Sequence, residues 1–159
     1  MAVDQQEFRG VMGHFATGVT VITTHDGNGK LFGLTANAVS SVSLEPPLLL
    51  VCVDRKSESH DAFGASKVFT VNILSNAQEV LSRKFAKSGA DKFEGVGYQA
   101  GRTGAPILND VLAHLECEVR HEFEAGDHTI VVGEPIELAM DQETDPLLYF
   151  RGGYRNLRA

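Results

Sequence analysis

The sequence predicts a mainly β fold, an antiparallel barrel that is closed or partly open and carries helical insertions. Six or seven short runs are β-branched or alternate apolar with polar residues, the period-two signature of strands. Turn signals such as His25-Asp26-Gly27-Asn28-Gly29 and Gly126-Asp127 join these runs into hairpins. Helical periodicity is confined to the N-terminus and the middle, which departs from the βαβαβ alternation of a doubly wound sheet. The 159 residues show no internal repeat and no linker composition, so the chain reads as one domain over 1–159.

The elements follow in order. Phe8, Val11, Met12 and Phe15 keep the i, i+3, i+4, i+7 spacing of an amphipathic helix, capped by Asp4 and closed by Gly18. A strand over 19–24 leads into the turn at 25–29. The segment 31–42 continues as a second strand and a small-residue loop, and Pro46-Pro47 stops it. Residues 48–53 (LLLVCV) form a continuous apolar run, expected as a buried strand. Segments 57–66 and 75–86 both open on a serine and read as capped helices, with a strand over 67–73 between them. The stretch 90–106, rich in glycine and polar residues, is expected to be a long irregular loop. Over 111–123 the alternation puts Val111, Ala113, Leu115, Cys117 and Val119 on one face and His114, Glu116, Glu118 and Arg120 on the other. Residues 129–140 are its partner, with Gly133 and Pro135 marking a bulge or bend. A short strand at 147–150 precedes the tail RGGYRNLRA.

Composition narrows the function classes. Apolar residues make up 43% and charged residues 22%, as in an ordinary globular domain. A formal charge of −7 and a pI near 5.3 argue against nucleic acid or an anionic membrane surface as a partner. No apolar run approaches the roughly 20 residues that span a bilayer. The N-terminus MAVDQQEFRG lacks the basic and apolar segments of a signal peptide, and Cys52 and Cys117 read as reduced thiols. A cytoplasmic protein is expected.

Gly27-x-Gly29-x-x-x-Gly33 and Gly95-x-Gly97-x-x-x-Gly101 are one residue too long for a dinucleotide fingerprint and lie between no strand and helix. His114 and Cys117, three apart on an alternating strand, point to opposite faces and cannot share a metal ion, so no metal site is expected. The segment LTANAVSSVS (34–43) lets backbone approach a flat ligand and offers hydroxyls to ring edges or phosphate; a polar turn would look the same. Arg83 and Lys84 at a helix end suit either a phosphate or the helix dipole. Asp54-Arg55-Lys56-Ser57 leads from a strand into a helix start, a natural anion site. His128 stands at the mouth of a β-branched run behind a Gly-Asp turn, where a strand has no need of histidine.

Together these stretches resemble the short-chain flavin reductases, the flavin reductase-like group built on the FMN-binding split barrel. The resemblance runs from FRGVMGHFATGVTVIT through GLTANAVSSVSLEPPLLLVCVDRKSESH, FTVNILSNAQEVLSRKFA and DKFEGV to GDHTIVVGEP and PLLYFRGGY. It implies an antiparallel Greek-key split barrel and an NAD(P)H-dependent reductase that passes reduced FMN or FAD to a separate monooxygenase. It implies flavin contacts at Thr35, Ala36, Asn37, Ser40 and Ser41, at Cys52, Asp54 and Ser57, and at Arg83, Lys84 and Phe85 near the phosphate. His128 would meet the nicotinamide of NADH (or NADPH), with Tyr154 close to the same pocket. A homodimer is also implied. A related barrel that holds its flavin tightly, as an oxidase or electron carrier, is the alternative.

Overall fold

The computed structural model describes residues 2–89, 91–141 and 143–157. Its main sheet has seven antiparallel strands in the order β3-β2-β6-β9-β10-β5-β4. These are β2 (Thr20–His25), β3 (Leu31–Ala36), β4 (Val39–Leu44), β5 (Pro47–Asp54), β6 (Val68–Ile73), β9 (Ala113–Ala125) and β10 (His128–Met140). The two edge strands, β3 and β4, adjoin in sequence without pairing, so the curled sheet makes the expected split barrel. Inside it Ile22, Val51, Phe69, Val71, Cys117 and Val131 pack into one core, capped by Phe63 of α2 (His60–Ser66).

A second core gathers Val19, Val21, Leu74, Phe85, Leu108 and Leu147. It lies beneath α3 (Glu79–Phe85) and a small sheet of β1 (Thr17–Gly18), β11 (Leu148–Phe150) and β12 (Gly153–Arg155). Ser75 opens the α3 region as expected: its backbone N–H donates to Gln78 Oε1 in a capping box around a single 3₁₀ turn.

Several expectations change, among them the loop expected after β3, which is largely strand β4. The stripe on α1 (Gln5–Met12) is real and Asp4 caps it, but none of its residues is buried, the helix ends at Gly13, and Phe15 and Gly18 lie beyond it. The helix expected over 57–66 starts only at His60, after a turn in which Ser57 Oγ accepts from Ser59 N at 3.2 Å. β5 is not buried on both faces: Leu49, Val51 and Val53 enter the core, while Leu48, Leu50 and Cys52 face outward. The even-numbered face of β9 is not solvated at Glu116, which is 2% exposed.

That last burial comes from the glycine-rich segment, which holds two short strands, β7 (Tyr98–Ala100) and β8 (Pro106–Leu108), and is fastened across the sheet. Thr103 donates from N (2.9 Å) and Oγ1 (3.1 Å) to Glu116 Oε2, and Leu108 N donates to Asn72 Oδ1 at 2.9 Å. Buried polar groups require such partners, and the loop supplies them. The register shifts of β9 and β10 fall at Val132/Gly133 and Pro135/Glu137, where glycine and proline marked a bulge. No helix among the described residues is long and apolar enough to cross a membrane.

Candidate functional site

The outward face of β4, β5 and β10 forms a platform. Residues directly opposite in an antiparallel pair share a face. Ser40 lies opposite Leu50, Ile130 opposite Cys52, and His128 opposite Asp54. Cys52 and Asp54 are two residues apart, so the His128 row lies about 7 Å along the strand from the Cys52 row. The apolar outward residues that made β5 look doubly buried are therefore the floor of a site.

Over one end of the platform lies α1, enclosing a cleft of about 660 Å3. Phe8 and Met12 line one side, Asn37, Ala38 and Ser40 another, with Leu50 and Cys52 as floor and Tyr149 at the rim. This is an apolar cleft with a few polar edges, of a size that accepts a planar heterocycle. Burial raises the Cys52 thiol above its ordinary range.

At the rim, β11 and β12 set Tyr149 opposite Tyr154, with ring centroids 5.4 Å apart. Tyr154 Oη and Ser82 Oγ are 2.7 Å apart, and Thr35 Oγ1 donates to Ser82 O at 2.6 Å. Arg83 lies over the Tyr154 ring at 4.8 Å. It also donates twice to Glu79 Oε1, at 2.9 and 2.7 Å, and that bond raises the guanidinium pKa further. Arg83 is thus a paired cation leaning on an aromatic ring. Lys84 donates to the Glu94 carbonyl.

At the other end, His128 Nδ1 donates to Asp127 Oδ1 at 2.7 Å, which lowers the Asp127 carboxyl pKa. With Nδ1–H held by the carboxylate, Nε2 is the ring atom left for a ligand. His128 retains 40% side-chain exposure. The adjoining corner is tied by Asp54 Oδ1, which accepts from Lys56 N at 2.8 Å, and by Arg55 N, which donates to Asp127 O at 3.0 Å.

Asn37, Ser40 and Cys52 thus line the cleft; Asp54 and His128 continue its floor; Thr35, Arg83 and Tyr154 form a linked cluster whose Tyr154 pairs with the rim residue Tyr149. The remaining expected residues are placed elsewhere. Ala36 points into the first core at 9% exposure, because alternation along β3 turns Thr35 and Ala36 to opposite faces. Ser41 lies opposite Leu49, on the reverse face from Ser40. Phe85 is 1% exposed, and its ring fills the space above Gly33. Ser57 is half-buried in the turn before α2, which has no side-chain cap. Asp127, Tyr149 and the α1 residues Phe8 and Met12 are additions. The Asp of the Gly-Asp-His turn and the unburied apolar stripe were the available signals.

Known proteins share this sequence and fold. The family model described as "Flavin reductase like domain" matches residues 12–158. A flavin reductase of Pseudomonas putida is 40% identical over 99% of this chain, which covers 93% of that protein. The reductase subunit of a flavin-dependent monooxygenase from Rhodococcus jostii (strain RHA1) is 38% identical over 98% of this chain and 80% of its own length. The Streptomyces globisporus C-1027 NADH:FAD oxidoreductase, solved with NAD and FAD fragments, superposes with a TM-score of 0.92 at 37% identity, covering 99% of this chain and 97% of that one. A relative from Rhizobium meliloti (strain 1021), 42% identical over 95% of this chain, is longer, and the chain spans about half of it, 48%.

Proposed function

The chain belongs to the flavin reductase like domain family, and from that premise we propose that it is an NADH-dependent flavin reductase supplying reduced FMN or FAD to a separate monooxygenase. The observation that carries the reading is the platform of β4, β5 and β10, which brings Asn37, Ser40, Cys52 and His128 to one continuous face.

When both nucleotides are bound, the chemistry they supply is hydride transfer from nicotinamide C4 to flavin N5. The chain's part is to position and to exclude. Leu50 and Cys52 offer a flat floor for the flavin ring, with Asn37 and Ser40 at its polar edge. Phe8 and Met12 keep water from its other side. His128, oriented by Asp127, presents Nε2 to the nicotinamide carboxamide or to the flavin edge. Arg83, with Tyr154, is the candidate for the phosphate. The test is steady-state NADH and NADPH oxidation with FMN, FAD or riboflavin added to dialysed protein. Oxidation that needs added flavin supports a substrate flavin; a colour that survives dialysis, or NADH oxidation indifferent to flavin, overturns it.

The thiols give an independent check. Burial pushes Cys117 up to about 12, whereas Cys52 is half-exposed on the cleft. At pH 8 one thiol per chain should alkylate, at Cys52, and FMN should slow it; Cys117 should react only on unfolding. Two fast thiols, or labelling blind to flavin, would contradict the placement.

A homodimer is part of the same reading. Val11 (66% exposed) and Phe8 on α1, and Val42 and Leu44 (88% exposed) on β4, are apolar side chains that this chain leaves uncovered, and Phe8 lines the cleft. Val11→Glu combined with Leu44→Glu should convert a dimer to a monomer in sedimentation experiments and weaken flavin binding. A wild type that sediments as a monomer would refute the dimer. A cytoplasmic location belongs to the proposal too, supported by the two unpaired cysteines.

A further inference from the structure

β10 begins between two histidines, and only one of them belongs to the platform. His128 and Thr129 are consecutive on the strand, so they point to opposite faces. Thr129 is 8% exposed and lies opposite Val53, on the side of the first core. Its Oγ1 is 2.9 Å from Nε2 of His60, the first residue of α2. His60 Nδ1 lies 3.0 Å from Asp61 Oδ1, a carboxylate oxygen that only accepts, so Nδ1 carries the proton. In the neutral ring Nε2 accepts from the Thr129 hydroxyl, and in the charged ring Nε2–H donates to it. The contact holds in both forms.

The anchor behind this bond is firm. His60 N donates to Ser57 O at 3.0 Å, Ser59 Oγ donates to Gly33 O at 3.3 Å, and Ala62 and Phe63 are buried. The strand end it meets is held by less. Among the described residues, no other side chain from outside the sheet bonds to His128, Thr129 or Ile130, apart from Asp127 in the preceding turn. Asp127 orients the His128 ring but is exposed and adjoins it in sequence, so it travels with the strand end. His60 itself does not line the cleft under α1, so its bond serves something other than ligand contact.

We propose that His60 is a positioning residue for hydride transfer: acting through Thr129, it fixes the end of β10 and so the place of His128 Nε2 on the platform. The inference rests on the reductase reading above. Placement of this kind acts on rate more than on binding, because a misplacement of about 1 Å costs up to about a hundredfold. The loss of His128 itself caps the effect. Removing the His60 bond should therefore cost about three- to tenfold in rate.

Flavin reduction at saturating NADH is followed by stopped flow in wild type, His60→Ala, His60→Gln and Thr129→Val, each with and without His128→Ala. KM for NADH, the FMN dissociation constant and the unfolding midpoint are measured on the same proteins. His60→Ala and Thr129→Val should each lower the reduction rate by about three- to tenfold, with little change in KM or FMN affinity. Thr129→Val keeps the shape of the side chain, so it separates the bond from packing. His60→Gln, whose amide offers both a donor and an acceptor, should restore most of the rate. In the His128→Ala background neither substitution should slow reduction further, because residues that act through one group are not additive. An equal factor in the two backgrounds, or no loss of rate from Thr129→Val, overturns the proposal and leaves His60 as a tie between α2 and the sheet. A lowered unfolding midpoint with an unchanged rate does the same. A wild type that reduces no flavin refutes the reductase reading instead.

Discussion

His128→Ala should lower NADH-dependent turnover at least about tenfold while the dissociation constant for flavin changes little. The residue stands at the first position of β10, opposite Asp54 and one row from Cys52, so it borders the platform without forming its floor. Asp127 fixes Nδ1 and leaves Nε2 for the ligand. A hydrogen bond to a positioned ligand contributes about 0.5–1.5 kcal/mol, and up to about 3 kcal/mol when charged, and each 1.4 kcal/mol is tenfold. Asp127→Asn should fall between wild type and His128→Ala, because the amide oxygen still accepts from Nδ1–H but no longer carries charge. Stopped-flow reduction rates and flavin titrations on all three proteins decide it. Equal losses in flavin and NADH binding would move His128 from the nicotinamide to general structure.

The strands were legible because alternation and turn chemistry are local. The 111–123 alternation and the glycine and proline at the β10 bulge were set by neighbours in sequence, and both appear where expected. What failed was the identity of the partner on each face. Nothing near Glu116 in sequence says that residues 97–109 will cover it, because that loop is held by Thr103 and Leu108 from a distance. LLLVCV reads as doubly buried because both its faces are apolar, one for the core and one for a cleft, and composition does not separate the two. Within TANAVSSVS the segment was recognisable, but of the expected contacts Asn37 and Ser40 line the cleft, beside Ala38 and Val39, whereas Ala36 and Ser41 are turned away. Arg83 and Lys84 were legible as cations, whereas their partners were not: Arg83 is paired with the Glu79 carboxylate, and Lys84 donates to the neutral backbone carbonyl of Glu94.

The largest stability effect should come from the contact that shapes the β10 bulge. Phe69 is fully buried, its ring 5.8 Å from that of Phe63. Its tip fills the space a side chain at Gly133 would occupy: a Cβ there would lie 2.5 Å from Phe69 Cζ and 3.0 Å from Cys117 Cβ. Phe69→Ala should therefore cost about 3–5 kcal/mol, the range for emptying a buried aromatic site. Gly133→Ala should cost about 1–3 kcal/mol by overpacking, since the ring cannot retreat into Phe63. The two are not independent, because removing the ring vacates the volume the new methyl needs. The double variant should be more stable than the sum of the single losses predicts, by about 0.5–3 kcal/mol, in a denaturant-unfolding cycle. Cys117 lies in the same contact and adds a pH signature. Its folded pKa is raised, so the stability it contributes is complete below the unfolded thiol pKa of about 8.5 and is lost as the pH climbs from there toward about 12. Strict additivity of the two substitutions would mean that Phe69 and Gly133 do not touch. The bulge that sets β10, and His128 at its start, would then need another cause.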